Sequence, residues 1–301
     1  MRMRILKNSS RMLAPAALWA AVALTTSIAR SDPGPIAGPI PFVPLEEGQH
    51  FTLDPVADGA LTAAGFGFSG LLGLVLSTGE IRPLPPQVGA SSLLFFDRIA
   101  VTQTIDPHAG TYSDIGLYSA VGFAVLDPIL SGVRDGTDAL IVDAFMYAES
   151  ASLALTLTDI TKIAVRRPRP IYYKDCPAGT PTTSSNCEST DLGLSFFSGH
   201  AATVSAIGAT ATYLAFVRSP RHSPRPWITL AAATVLTAFV SYERVRSGEH
   251  FPSDVIAGSL AGASVGTLVP HWHRHVQEPA PVWIGISPER GGGSLSLKGA
   301  F

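Results

Sequence analysis

Charged residues are sparse along this chain and collect between six apolar stretches, at 60–78, 115–133, 139–165, 201–217, 227–242 and 254–269. Each stretch is too long for a core strand and suits a helix. The third contains Asp143, Glu149 and Asp159, so it does not face lipid on every side. The sixth carries Gly258, Gly262 and Gly266 at a spacing of four, a small-residue stripe that lets two helices approach closely. Residues 30–58 are rich in Pro and Gly and read as an irregular lead-in. After His275 the pattern changes to a weak alternation around Pro288-Glu289-Arg290-Gly291, which predicts a small hairpin in the tail, 276–301. The expected fold is an all-α bundle of about six helices spanning 59–275.

Composition refines this picture. Of the 301 residues, 46% are hydrophobic and only 15% charged, against roughly 25% charged in ordinary soluble domains. Ala, Gly and Pro fill the deficit, which places the chain between a soluble helical protein and a multi-span membrane protein. A net charge of -2 gives no reason to expect nucleic acid as a partner. At the N-terminus, Arg2, Arg4, Lys7 and Arg11 precede an uncharged apolar stretch, and Ser27 and Ala29 supply small residues before a cleavage point. Residues 1–29 therefore read as a signal peptide, and an uncleaved membrane anchor fits the same residues; both export the protein. Cys176 and Cys187 flank a stretch of Thr, Ser, Pro and Gly, and in an exported chain they are expected to form a disulfide. Nothing between them supplies the further ligands of a zinc site.

Three polar clusters interrupt the apolar pattern. Lys162, Arg166, Arg167 and Arg169 end the third run, with Pro168 and Pro170 stopping the helix. Ser195-Phe-Phe-Ser198-Gly199-His200 opens the fourth run, where a helix N-terminus offers a hydroxyl and free N–H groups to an anion. Arg244, His250 and Asp254 lie between the fifth and sixth runs. Asp254 follows His250 by four residues, a spacing at which a carboxylate can hold one ring nitrogen and aim the other. Taken singly, these clusters are a solvated basic run, an N-cap beside a histidine, and a capping carboxylate. In an up-and-down bundle, however, all three reach the same end.

Together they resemble the signature of the type-2 phosphatidic acid phosphatase and vanadium haloperoxidase superfamily, K-x6-R-P, then P-S-G-H, then S-R-x5-H-x3-D. Lys162 and Arg169-Pro170, Ser198-Gly199-His200, and Arg244, His250 and Asp254 keep every internal spacing. Phe197 replaces the usual Pro and Glu243 the usual Ser, the latter adding a negative charge expected to tune anion affinity. The resemblance implies a phosphatase whose site lies at one end of the bundle. In that reading His250 attacks phosphorus, Asp254 orients its ring, and His200 serves the leaving group and then water. Lys162, Arg169, Arg244, Ser198 and Gly199 hold the phosphate oxygens, with no metal and no cofactor.

Gly65-Phe-Gly67-Phe-Ser-Gly70 fits a dinucleotide-loop pattern but lies inside an apolar run with no preceding strand, so packing explains it. His271, His273 and His275 read as a polar helix end in preference to a metal site. No nucleophile elbow surrounds Ser198, which excludes a serine hydrolase of that kind. The expected partner is a phosphorylated lipid or small phosphate ester. A soluble periplasmic acid phosphatase and a vanadate-dependent haloperoxidase are the alternatives. Oligomeric state has no sequence signal. The cysteine pair on the catalytic face, and arginines in the opposite loop (218–225), place the site outside the inner membrane. Six spans after a cleaved signal would place it inside. Either one run does not span, or the bundle is not fully embedded, or the N-terminus is an anchor.

Overall fold

The computed structural model describes residues 51–274, except 80, 82, 85, 87, 88, 177–186 and 221, together with the backbone of 282–289 and 292–299. All of these belong to one compact unit, 46–301. The signal-like segment lies outside the described residues.

Among the described residues, six long helices form the bundle: α1 (Pro55–Ser77), α3 (Ala109–Asp135), α4 (Thr137–Val165), α6 (Gly199–Arg218), α7 (Arg225–Arg246) and α8 (Pro252–His273). The short helices α2 (Arg98–Thr102) and α5 (Pro170–Asp175) lie in the connections, and antiparallel strands β1 (Val282–Glu289) and β2 (Gly292–Gly299) follow. The fold of the bundle is all-α, as expected. Helix α1 begins inside the stretch read as irregular, because Asp54-Pro55 is a start signal. The Asp54 side chain accepts from Val56 N–H at 3.0 Å and Ala57 N–H at 3.1 Å, and Pro55 sits where no N–H is required. Gly136 alone joins α3 to α4, at φ +94°, a conformation open to glycine and costly for other residues.

Helix α6 is central. Its Ala202, Val204, Ile207 and Leu214 are buried, and Met146, Tyr147, Val240 and Val269 from α4, α7 and α8 complete the core. In α1, by contrast, only Gly65 is buried; it packs against Ser152, where a Cβ would stand 3.0 Å from the hydroxyl, whereas Gly67 and Gly70 have nothing within 4 Å, so packing accounts for the first glycine of that pattern alone. The stripe on α8 meets α6: Gly258 faces Ser198, Gly262 faces Ala202 and Gly266 faces Ala206, backbone against backbone.

Among the described residues, five segments are long and apolar enough to cross a membrane: α1, α3, Thr137–Asp175, α6 and α7. Leu71, Leu74, Trp227, Ile228 and Val235 point outward from α1 and α7. So extended an exposed apolar surface requires lipid, and the chain is a membrane protein.

Candidate active site

The C-terminus of α4, the N-termini of α6 and α8, and the C-terminus of α7 converge at one end of the bundle, and main-chain hydrogen bonds knit the three polar clusters together. Ser195 N–H donates to the Arg167 carbonyl at 2.9 Å and Arg169 N–H to the Leu192 carbonyl at 2.8 Å, joining the first cluster to the second. Ser198 N–H donates to the Asp254 carbonyl at 3.2 Å, joining the second to the third. Ile171 N–H donates to the Gly248 carbonyl at 3.0 Å, joining the first to the third. Gly248 has φ +73°, and a Cβ there would stand 2.9 Å from Ile105, so the turn into His250 needs glycine.

Ser198 caps α6 and is buried; its hydroxyl accepts from Ala201 N–H at 3.4 Å. Lys162, in the last turn of α4, lies close by: a Cβ on Gly199 would stand 4.0 Å from its Nζ. Arg169 is buried; its Nε donates to the Asp191 carbonyl at 2.8 Å and its Nη2 to the Asp191 carboxylate at 2.5 Å. Arg244 reaches Ser113 Oγ at 3.4 Å. All the sequence-predicted residues are therefore brought to this end.

His250 is only 1% exposed, and its Nδ1 lies 2.7 Å from the Ser195 carbonyl oxygen. A carbonyl can only accept, so Nδ1 carries the proton and Nε2 keeps its lone pair. Burial, reinforced by the charges of Arg169, Arg244 and Lys162, holds this imidazole well below the usual histidine pKa. It is a neutral nitrogen base surrounded by cations.

The geometry departs from the expectation at Asp254. Its Oδ2 stands 4.0 Å from His250 Nδ1, and the ring's direct partner is the Ser195 carbonyl. Asp254 instead accepts from Ser195 Oγ, from Phe251 N–H at 2.9 Å and from Arg167. It holds the residue that holds the histidine. Arg167 extends this support: it bonds Ser253 Oγ at 2.7 Å and buried Asp97 at 2.8 Å, and its guanidinium stacks 4.1 Å from the Phe251 ring. Asp97 in turn accepts from Ser253 N–H at 2.9 Å. Of the cations in the first cluster, Arg167 thus serves the scaffold.

Two further residues escaped the sequence reading. Asp114 on α3 lies 2.8 Å from His200 Nε2, so a carboxylate engages that ring nitrogen. Glu249 places its carboxylate between Arg169, which it pairs directly, and Arg244, at 3.5 Å. Glu243, expected to be the negative charge near the pocket, pairs with Arg246 at 3.3 Å. The carboxylate that competes for the cage is Glu249.

The PAP2 superfamily model matches residues 143–278, a span that includes Lys162, Arg169, Ser198, Gly199, His200, Arg244, His250 and Asp254. This segment is similar to the PAP2 superfamily. Two solved structures are similar. One is a transmembrane PAP2 type phosphatidylglycerolphosphate phosphatase from Bacillus subtilis, at 18% identity over 70% of this chain and 94% of that one, TM-score 0.41. The other is LpxE from Aquifex aeolicus, at 19% identity over 60% of this chain and 98% of that one, TM-score 0.39. No curated protein matches the chain. Asp97 and Asp114, which support the site, lie outside the PAP2 segment.

Proposed function

We propose that this membrane protein is a metal-independent phosphatase of lipid phosphate esters that works through a phosphohistidine at His250. The observation that carries the reading is the Nδ1–H bond to the Ser195 carbonyl, which leaves a neutral Nε2 lone pair beside Lys162, Arg169 and Arg244. Nε2 attacks phosphorus as the P–O bond to the alcohol breaks. His200, positioned by Asp114, gives that oxygen its proton. His200 then takes a proton from water, which attacks phosphorus and breaks the P–N bond, releasing inorganic phosphate and restoring His250.

Through both steps the three cations, the Ser198 hydroxyl and the Gly199 N–H balance charge on the equatorial oxygens. This fixed positive charge takes the place that metal ions hold in other phosphatases. The outward apolar helices favour a lipid ester over a soluble one, because a substrate anchored in the same bilayer meets the bundle there. The disulfide between Cys176 and Cys187 supports a site on the oxidising, periplasmic side of the inner membrane.

The test is a brief reaction with phosphate-labelled lipid substrate and an alkaline quench. Parent enzyme should carry an acid-labile phosphoenzyme, and phosphate release should survive chelation. His250→Ala should carry no label and turn over no substrate. His200→Ala should be slowed about 10²–10⁴-fold. Retained turnover in His250→Ala, or activity that a chelator abolishes and a divalent metal restores, refutes the mechanism.

A further inference from the structure

Among the described residues, one group of potential metal ligands is left unused by the phosphatase reading. Asp58 from the first turn of α1, Glu149 from the middle of α4 and His273 from the end of α8 bring one ligand atom each to within 4.8 Å of the others. His273 lies about 28 Å along α8 from Asp254, taking 1.5 Å per residue, so this cluster is separate from the catalytic end.

His273 Nδ1 is 2.9 Å from the Val269 carbonyl, which fixes the proton on that nitrogen. Its Nε2 faces Asp58 Oδ2 at 3.3 Å and Glu149 Oε2 at 3.6 Å. Glu149 is 2% exposed, and its Oε2 is buried with no hydrogen-bond partner. A buried carboxylate oxygen left in this state is costly unless a cation meets it. Bonds of about 2.0–2.1 Å in tetrahedral geometry set neighbouring ligand atoms about 3.3–3.4 Å apart. The two separations at His273 Nε2 come close to those of one coordination shell. The backbone acceptor on Nδ1 is the support that aims a ligating imidazole.

We propose that Asp58, Glu149 and His273 bind one divalent cation, with zinc favoured by the mixed nitrogen and oxygen donors and water as the fourth ligand. The ion ties the start of α1 to α4 and to the end of α8. Helix α1 needs such a tie, since it is otherwise buried only at Gly65. The proposal stands independently of the phosphatase reading.

The experiment uses the full chain in detergent, stripped with a chelator and then titrated with zinc. Bound metal is measured by mass spectrometry and the thermal midpoint is recorded. The expected result is one zinc per chain and a midpoint that rises with zinc. Affinity should fall at least about 100-fold in Glu149→Gln and in His273→Ala. Asp58→Asn, at a more accessible position, should fold without metal and lose the zinc-dependent rise. Initial phosphatase rates below the melting range should not change on stripping. Absence of stoichiometric zinc in the parent chain, or zinc retained by the variants, overturns the proposal and leaves a histidinium held between two carboxylates.

Discussion

Gly258→Ala tests how the α6–α8 contact sets the catalytic geometry. A Cβ at Gly258 would stand 2.6 Å from the Ser198 carbonyl oxygen and 3.3 Å from Ser198 N, whereas ordinary contact begins at 3.4 Å. The first contact is short by about 0.8 Å, and both partners are backbone, so no side chain can rotate away. Either the helices separate or Ser198 moves. Overpacking of this kind costs roughly 1–3 kcal/mol, a fall of about 2–10 °C in thermal midpoint for a domain of this size. Ser198 caps α6 and its N–H bonds the Asp254 carbonyl, so displacement opens the anion cradle against His250. Misplacement approaching 1 Å can cost about 10²-fold in rate, so kcat should fall about 10–100-fold. Gly70→Ala is the control, because nothing lies within 4 Å of its added Cβ and it sits inside helix α1. Phosphate release and a melting curve, measured on both variants, decide the matter. A Gly258→Ala protein with parental rate and midpoint would refute the close-contact account.

Glu249→Gln removes the carboxylate that a substrate anion must displace from Arg169 and Arg244. Its side chain is 31% exposed, so screening reduces the effect to about 1–2 kcal/mol. Vanadate and phosphate should then inhibit roughly 5–30-fold more tightly, read from inhibition constants; weaker inhibition would show instead that Glu249 holds the arginines in place. For pH dependence, the proposed mechanism requires a neutral His250, and its lowered proton affinity then puts the acid limb of kcat/KM well below pH 6.5. Arg244→Gln removes one positive charge, favours the protonated ring and should move that limb upward. A pH–rate profile with the parent limb at or above 6.5, or a downward shift in the variant, contradicts the assignment.

The bundle was legible because each long helix carries a long apolar run, and breaks fall at Gly136 and at Pro168, Pro170, Pro226 and Pro252. The residues of the candidate site were legible because their spacing is local: Asp254 follows His250 by four residues and His200 follows Ser198 by two. What stayed hidden depends on contacts made across the fold. Asp114 meets His200 from 86 residues away and Asp97 meets Ser253 from 156, and neither carries a local pattern that marks a partner. Glu249 could be named as a charge beside His250, but only the approach of Arg169 from the α4–α5 connection shows where that charge goes.

The three histidines at the end of α8 show the same limit from the other side. Read along the sequence, His271, His273 and His275 form one group. A helix turns about 100° per residue, so alternate positions point nearly opposite ways. His271 accordingly bonds Tyr213 at 2.9 Å, while His273 turns to Asp58 and Glu149. His275 lies outside the described residues. Adjacency in sequence suggested a shared role for side chains that the helix sends to different neighbours. The carboxylates that face His273 come from α1 and α4: Asp58 reads in sequence as part of the irregular lead-in and Glu149 as one of three acids in the third apolar run.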